Sequence, residues 1–397
     1  MSETPAPPSP PVDTLPPLGG TPPPAAPATE PPVLTMPAAG QPAPAVETAP
    51  PAPPPPAPRE PELESFRFHG DEREYFRIWI VNTLITLLTF GVFAAWAKVR
   101  KRRYLRGNTE LMGHRFDYRA DPRRILIGNL VVATLFVAYS VFGQVYPVVA
   151  VVTLLVGLVM LPWIVVRSLA FNAHNTTYRG MRFYYHQSLS LAFLTYLAQP
   201  LVIVVTLGLY YPAWVRNRTE FVIANHQLGD SFFRFNSKSG PFYSAYFFSG
   251  LILLAAGALG GMLMGLVMMR SGNKVPGPAE LVPFLALYGL GFYTARHYAY
   301  SRVFNQTWNH TRLDDHRFIA SMKPNRWLGM QMVNLGAMII SCGLLYPWAA
   351  IRSTRYALAC LQFQPTRPIE KTSRLGRSEG SALGETASEF VGLDFGL

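Results

Sequence analysis

The sequence predicts an all-α polytopic membrane bundle with internal repeats, a small cytoplasmic strand-rich layer and a disordered N-terminal tail. Three observations carry that expectation. Only 15% of the residues are charged while 49% are hydrophobic, against roughly 25% charged in soluble domains. Seven apolar stretches follow one another, each at least about 22 residues long, enough helix to span a bilayer core. Several short motifs recur in a fixed order along the chain.

The tail comes first. Residues 1–64 hold 24 of the 37 prolines, mixed with Ala, Thr and Glu. Such a segment has too little aromatic or β-branched material to offset the entropy of ordering, so an extended, polyproline-like conformation is expected. It suits a spacer, with a ligand for a proline-recognition protein partner as the alternative. Its seven acidic residues and one basic residue leave the rest of the chain at about +18, since the whole is +12. A balance of that sign fits nucleic acid or an anionic lipid face; the apolar stretches decide for the membrane, and no nucleic-acid partner is expected. No basic region followed by an apolar run marks a signal peptide, so the first apolar stretch is expected to act as its own insertion signal.

The apolar stretches run over 76–97, 125–146, 148–171, 189–213, 243–269, 280–304 and 328–351. Helix is required at membrane depth because the backbone has no water to bond. Three of them share a motif. Thr89-Phe90-Gly91 to Trp96 matches Thr206-Leu207-Gly208 to Trp214 and Ser341-Cys342-Gly343 to Trp348, with Pro212 and Pro347 in the later copies and Ala95 in the first. An aromatic follows each glycine by thirteen residues (Tyr104, Phe221, Tyr356), and a carboxamide precedes it by nine (Asn82, Gln199, Asn334). The glycines lie 117 and 135 residues apart. The chain therefore divides into the tail (1–64), a first unit (65–187), a second (188–320), a truncated third (321–365) and a flexible C-terminal segment (366–397). Gly91, Gly208, Pro212, Gly343 and Pro347 are expected to break the helices that carry them.

Polar stretches between the apolar ones also resemble each other. Asn108 to Tyr118 and Asn175 to Tyr185 both have Gly five residues after the Asn and Arg-Phe beginning at seven. Looser copies run over 225–235 and 309–318, and Phe66 to Gly70 is an entry copy. Alternating aromatic and basic residues after a Gly turn read as short strands, several of which are expected to pair.

The Gly-aromatic-Trp motif, the turn Lys98-Val99-Arg100-Lys101-Arg102-Arg103-Tyr104 and Gly113-His114-Arg115-Phe116-Asp117-Tyr118 together resemble the YjgN-type family of bacterial inner-membrane proteins, known mainly as a domain of unknown function. The resemblance covers about 65–365. It implies a multi-pass location in the bacterial inner membrane and brings no activity with it.

Two topologies compete. Seven crossings would invert the second unit relative to the first, as in many secondary transporters, but would place the basic segment 296–327 on the opposite face from the basic segment 98–124. If the three motif-bearing stretches instead bend and return, all strand-like stretches share the cytoplasmic side, and the charge distribution favours this arrangement.

Candidate residues follow. Asn82, Gln199 and Asn334 are polar groups at membrane depth that must find partners. Either they bond to one another and lock the repeats, or they line a path for a solute. Lys98, Arg100, Lys101, Arg102, Arg103 and Arg106 read as contacts to anionic headgroups, and Trp96, Trp214 and Trp348 as interfacial anchors. The stripe Gly257, Gly261, Gly265 suits packing within the chain or a homo-oligomer. Two cysteines and eight scattered histidines give no metal-ligand spacing, no cofactor motif is present, and no nucleophile–base pair suggests an enzyme. Two functional classes remain: a transporter or channel for a small solute or lipid, and a non-transporting membrane scaffold or lipid-organising protein. A cavity reaching all three amides would favour the first.

Overall fold

The computed structural model describes residues 62–270, 272 and 277–366. Most of the proline-rich tail and the C-terminal segment from 367 lie outside the described residues, and with them the roles expected of the tail.

The chain enters through two short strands, β1 (Glu64–Ser65) and β2 (Arg67–Phe68). A helical hairpin follows, α1 (Glu72–Leu88) and α2 (Ala94–Gly107), then a β-hairpin, β3 (Thr109–Leu111) and β4 (His114–Tyr118). The order helical hairpin then β-hairpin continues. Next come α3 (Pro122–Val145) and α4 (Pro147–His174) with β5 (Thr176–Tyr178) and β6 (Met181–Tyr185). The third helical hairpin has a segmented first arm: α5 (Leu189–Phe193), a π-helical turn (Leu194–Ala198) and α6 (Gln199–Val205). It returns through α7 (Tyr211–Ala224) to β7 (His226–Leu228) and β8 (Ser231–Phe235). Then α8 (Gly240–Arg270) and α9 (Pro278–Asn309) lead to β9 (Thr311–Leu313) and β10 (His316–Ala320). Last, α10 (Pro324–Ile340) and α11 (Tyr346–Ala359) end in β11 (Leu361–Gln364).

The strands form one antiparallel sheet of eleven, in the order β1-β11-β10-β9-β8-β7-β6-β5-β4-β3-β2. Its two edges are the two halves of one entry segment. Glu64 pairs with Phe363, while Arg67 pairs with Glu110, and only Phe66 separates the halves. The sheet is thus a nearly closed ring. This corrects the expected fold class: the chain is not an all-α bundle with a minor strand layer, because the strand-like stretches join into a barrel-like sheet that organises the helices. Closure also leaves few unpaired edge groups, which lets strands of two to five residues persist.

One backbone bond recurs at every junction. The residue that enters each helical hairpin donates its N–H to the carbonyl at that hairpin's exit. The pairs are His69 to Asn108, Arg119 to Asn175, His186 to Asn225, Asn236 to His310 and Ser321 to Cys360, at 2.8–3.1 Å. Every helical hairpin therefore leaves the sheet and returns to it. Caps reinforce the exits: the side chains of Asn108, Asn175, Asn225 and His310 each bond the carbonyl four residues back, at 2.6–2.9 Å.

Among the described residues, α3, α4 and α8 are long and apolar enough to cross a membrane by length and composition. Each of the three motif-bearing stretches is broken into two helical arms rather than one continuous helix. Tyr75, early in α1, stacks on Tyr104, late in α2, at 5.3 Å. Tyr196 meets Phe221 at 5.7 Å, and Trp327 meets Tyr356 at 6.0 Å. The aromatic thirteen residues after each glycine is thus the partner that holds the second arm beside the first.

The breaks share one construction. Gly91, Gly208 and Gly343 have φ of +90°, +89° and +87°, and the residue before each (Phe90, Leu207, Cys342) is also left-handed. Glycine is required there because a Cβ is disfavoured in that conformation. Each glycine N–H reaches a carbonyl five residues back at 2.8 Å, as in a Schellman turn. The hydroxyls of Thr89, Thr206 and Ser341 accept the N–H four residues on, at 3.0–3.2 Å. The turn therefore bonds its own backbone donors. Pro212 and Pro347 open the second arms, in the first helical turn where no N–H is needed.

Candidate functional site

The ring encloses a cavity of about 240 Å³. Its wall follows from the hairpin register. Glu110 opposes Arg115, Thr177 opposes Arg182, Gln227 opposes Phe232, and Arg317 opposes Arg312. The next residue of each second strand then points inward, as side chains alternate across a sheet. These are Phe116, Phe183, Phe233 and Phe318, and Phe66 at the seam makes a fifth; all five line the cavity. Phe183 stacks on Phe233 and Phe233 on Phe318, both at 6.3 Å. Phe116 lies 4.6 Å from Tyr178, whose hydroxyl donates to the Leu111 carbonyl across the neighbouring strand at 2.8 Å. Burial pushes the Tyr178 phenol up to about 12, so it remains a donor.

The floor is polar and is made where helices meet strands. Thr109, Thr176 and Thr311 donate to the carbonyl four residues back at 2.7–2.9 Å, and His226 Nδ1 does so to Val222 at 2.6 Å. Burial lowers the His226 pKa to about 4; the Val222 carbonyl opposes this and the Arg106 charge adds to it. Arg102 and Arg106, one turn apart on α2, complete the floor. Arg102 is 8% exposed and donates to Asn172 Oδ1 at 2.6 Å and to the Tyr118 hydroxyl at 3.4 Å. Arg106 bonds Thr176 and lies 4.7 Å from the centre of the Tyr118 ring. Chemically this is an apolar, aromatic chamber over a polar base that holds two arginines.

A second, larger space of about 900 Å³ lies along the α1–α2 hairpin and is lined by Trp79, Asn82, Phe90, Lys98, Lys101 and Asn129 among others. Arg102 lines both spaces.

The amides do not meet. Each is bonded within its own hairpin, to the residue eighteen positions on. Arg100 donates to Asn82 at 3.0 Å, Asn217 to Gln199 at 3.3 Å and Arg352 to Asn334 at 3.4 Å. Asn82 reaches the larger cavity; Gln199 and Asn334 do not line it. The basic run spreads around α2: Arg100 joins the arms, Arg102 and Arg106 face the lumen, Arg103 donates to the Tyr118 carbonyl at 3.2 Å, and Lys98 and Lys101 line the larger cavity. Trp96, Trp214 and Trp348 stand in the first turn of each second arm, next to the hairpin tips. A Cβ at Gly257, Gly261 or Gly265 would meet no atom within 4 Å, whereas one at Gly291 would meet Ala256 at 2.2 Å. The close α8–α9 contacts are therefore at Gly291 and at Gly260, where a Cβ would meet Phe284 at 2.9 Å, both off the stripe. Among the described residues, no group of three or more His, Cys, Asp or Glu is placed to hold a metal ion.

Residues 63–390 match the family described as "Bacterial protein of unknown function (DUF898)". The chain belongs to this family. It is similar to the Inner membrane protein YjgN of Escherichia coli K12, at 30% identity over 51% of this chain and 48% of that protein. Its counterpart in E. coli O157:H7 is 28% identical over the same shares, and that of Salmonella typhimurium LT2 is 30% identical over 35% of this chain and 36% of that protein. The chain spans about half the length of the first two relatives. No solved structure matches it. It is an inner-membrane protein, and its apolar helices are consistent with multiple passes. The ring and its lumen were not legible from sequence; the signal was the inward Phe three residues after Gly113 and Gly180.

Proposed function

We propose that this protein is a non-transporting, lipid-organising protein of the inner membrane, a binding protein rather than an enzyme. It is built by repeating one helical-hairpin and β-hairpin unit around the ring. In this reading α3–α4 and α8–α9 span the bilayer, the other three hairpins enter one leaflet and return, and the ring sits on the cytoplasmic side. The observation that carries it is the tip of each returning hairpin. Phe90 and Leu207 are 99% and 93% exposed and Ile340 is 86% exposed, a cost in water that lipid contact removes. The basic segments 98–124 and 296–327, which flank or enter the strands, support the cytoplasmic side.

Native Cys342 occupies one tip and is exposed. In a Cys360→Ser background, Cys342 is expected to resist a membrane-impermeant maleimide from either face and to react with a lipid-soluble one. Single cysteines at Arg115, Arg182 and Arg317, on exposed strand positions, are expected to label from the cytoplasm alone. Labelling of Cys342 from the periplasm by the impermeant reagent would mean that its arm crosses, and the transporter reading would take over.

A further inference from the structure

Most polar groups in the floor of the ring are used by the chain itself. Thr109, Thr176 and Thr311 donate to their own helices, and Arg102 and Arg106 bond Asn172, Tyr118 and Thr176. Two side chains that line the lumen keep hydrogen-bonding capacity unused. His226 is one. Its Nδ1 faces the Val222 carbonyl at 2.6 Å; a carbonyl only accepts, so Nδ1 carries the proton. Burial lowers the pKa to about 4 and keeps the imidazole neutral, so Nε2 is a lone pair. The two nitrogens point to opposite sides of the ring, which directs Nε2 away from the end of α7. It has no hydrogen-bond partner among the described residues, and it is not sealed off. Asn172 is the other. Its Oδ1 accepts from Arg102 at 2.6 Å and from the Tyr118 hydroxyl at 3.3 Å, while its Nδ2 meets no acceptor among the described residues. Both lie near Arg106, which bonds Thr176, four residues after Asn172, and whose charge reaches His226. The floor thus offers one neutral acceptor and one neutral donor.

We propose that the lumen binds one molecule of a neutral aromatic alcohol, its hydroxyl donating to His226 Nε2 and accepting from Asn172 Nδ2, its rings against the phenylalanine wall. A hydroxyl needs both groups at once, an acceptor for its proton and a donor for its oxygen. A carboxylate has no proton for Nε2. A plain hydrocarbon would leave both groups buried and unpaired, the condition under which a site rejects an analogue that lacks the hydroxyl. The wall of Phe66, Phe116, Phe183, Phe233 and Phe318 presents ring faces and edges, against which an aromatic body packs. An apolar cavity of about 150 Å³ takes up benzene, so about 240 Å³ admits two fused rings. The site lies within the ring, and it stands whichever hairpins cross the bilayer.

The test uses the full chain in nanodiscs of neutral phosphatidylcholine, with empty nanodiscs subtracted. Radiolabelled 2-naphthol, naphthalene and 2-naphthoate are the probes, in equilibrium dialysis at pH 7.5. 2-Naphthol is expected to bind saturably, one per chain. Naphthalene and 2-naphthoate are each expected to bind about tenfold or more weakly, the effect of about two hydrogen bonds. In chain labelled with ¹⁵N-histidine, the His226 Nε2 resonance, identified by its loss in His226→Gln, is expected to shift with 2-naphthol and to stay in place with naphthalene. His226→Gln is itself expected to weaken 2-naphthol and leave naphthalene unchanged. Should that variant not fold, the three probes on the unsubstituted chain still decide. No saturable binding of 2-naphthol, equal affinity for naphthalene, 2-naphthoate binding as tightly as 2-naphthol, or a His226 resonance that 2-naphthol does not move would each overturn the proposal. These outcomes leave the Cys342 labelling pattern unaffected, so failure here is separable from failure of the half-span reading.

Discussion

Replacing Thr89 with valine asks whether the hairpin tips lie in hydrocarbon. The substitution keeps the β-branched shape and removes one oxygen. That oxygen accepts the Phe93 N–H at 3.1 Å and donates to the Ile85 carbonyl at 2.7 Å. The carbonyl also receives the Thr89 N–H, at 2.9 Å, so it stays satisfied. The Phe93 N–H does not. In water it would be resolvated, and the loss would stay near 0.5–1 kcal/mol, roughly one net hydrogen bond. In hydrocarbon the full desolvation penalty remains, about 2–3 kcal/mol. Thr206→Val and Ser341→Ala orphan Tyr210 and Leu345 in the same way, and Thr89→Ser restores the acceptor. The assay is reversible unfolding in mixed micelles followed by circular dichroism. The reasoning fails if Thr89→Val costs no more than about 1 kcal/mol, or if Thr89→Ser is as unstable as Thr89→Val.

Further outcomes are expected from the same measurement. Gly208→Ala should lose about 1–2 kcal/mol from its positive φ alone, since a Cβ there would touch nothing within 4 Å, whereas Gly257→Ala should be neutral or stabilising. Asn334→Leu should lose about 2–4 kcal/mol, because Arg352 and Ser353 both bond this nearly inaccessible amide. The folded state holds His226 neutral, its pKa lowered from 6.5 to about 4. The unfolded chain takes the proton first, so the stabilisation is complete above about pH 6.5 and disappears as pH falls toward 4. The loss should reach about 3 kcal/mol at most, and His226→Gln should flatten that slope.

What could be read from the sequence was the periodic and the local. Thr-x-Gly, the amide nine residues before it and the aromatic thirteen after it were visible as spacings, and each has a counterpart in a bond or a stack of the hairpins. The sheet was not visible as a ring because its information is non-local. Glu64 and Phe363 pair across almost the whole described chain, and strands of two or three residues carry no period of their own. The copy at 225–235 also invited the wrong register: its Arg-Phe is Arg234-Phe235, whereas the residue equivalent to Phe116 is Phe233. The lumen depends on that register, so its Phe wall, and Arg102 beneath it, could not be singled out from the basic run.

Ring closure supports the same arrangement that the charge count favours. Each helical hairpin must deliver the chain from one β-hairpin to the next around a single sheet, with its entry N–H bonded to its exit carbonyl. An arm that crossed and did not return would carry the next β-hairpin to the other face of the membrane and break the pairing on both sides of it. Three such arms, as seven crossings require, would split the sheet at three places, yet β3 through β11 pair without a gap. In the proposed arrangement crossings come in pairs, and an apolar stretch too interrupted to form a full pair turns back. The Thr/Ser-x-Gly element is the local chemistry that makes turning back possible without leaving backbone donors bare.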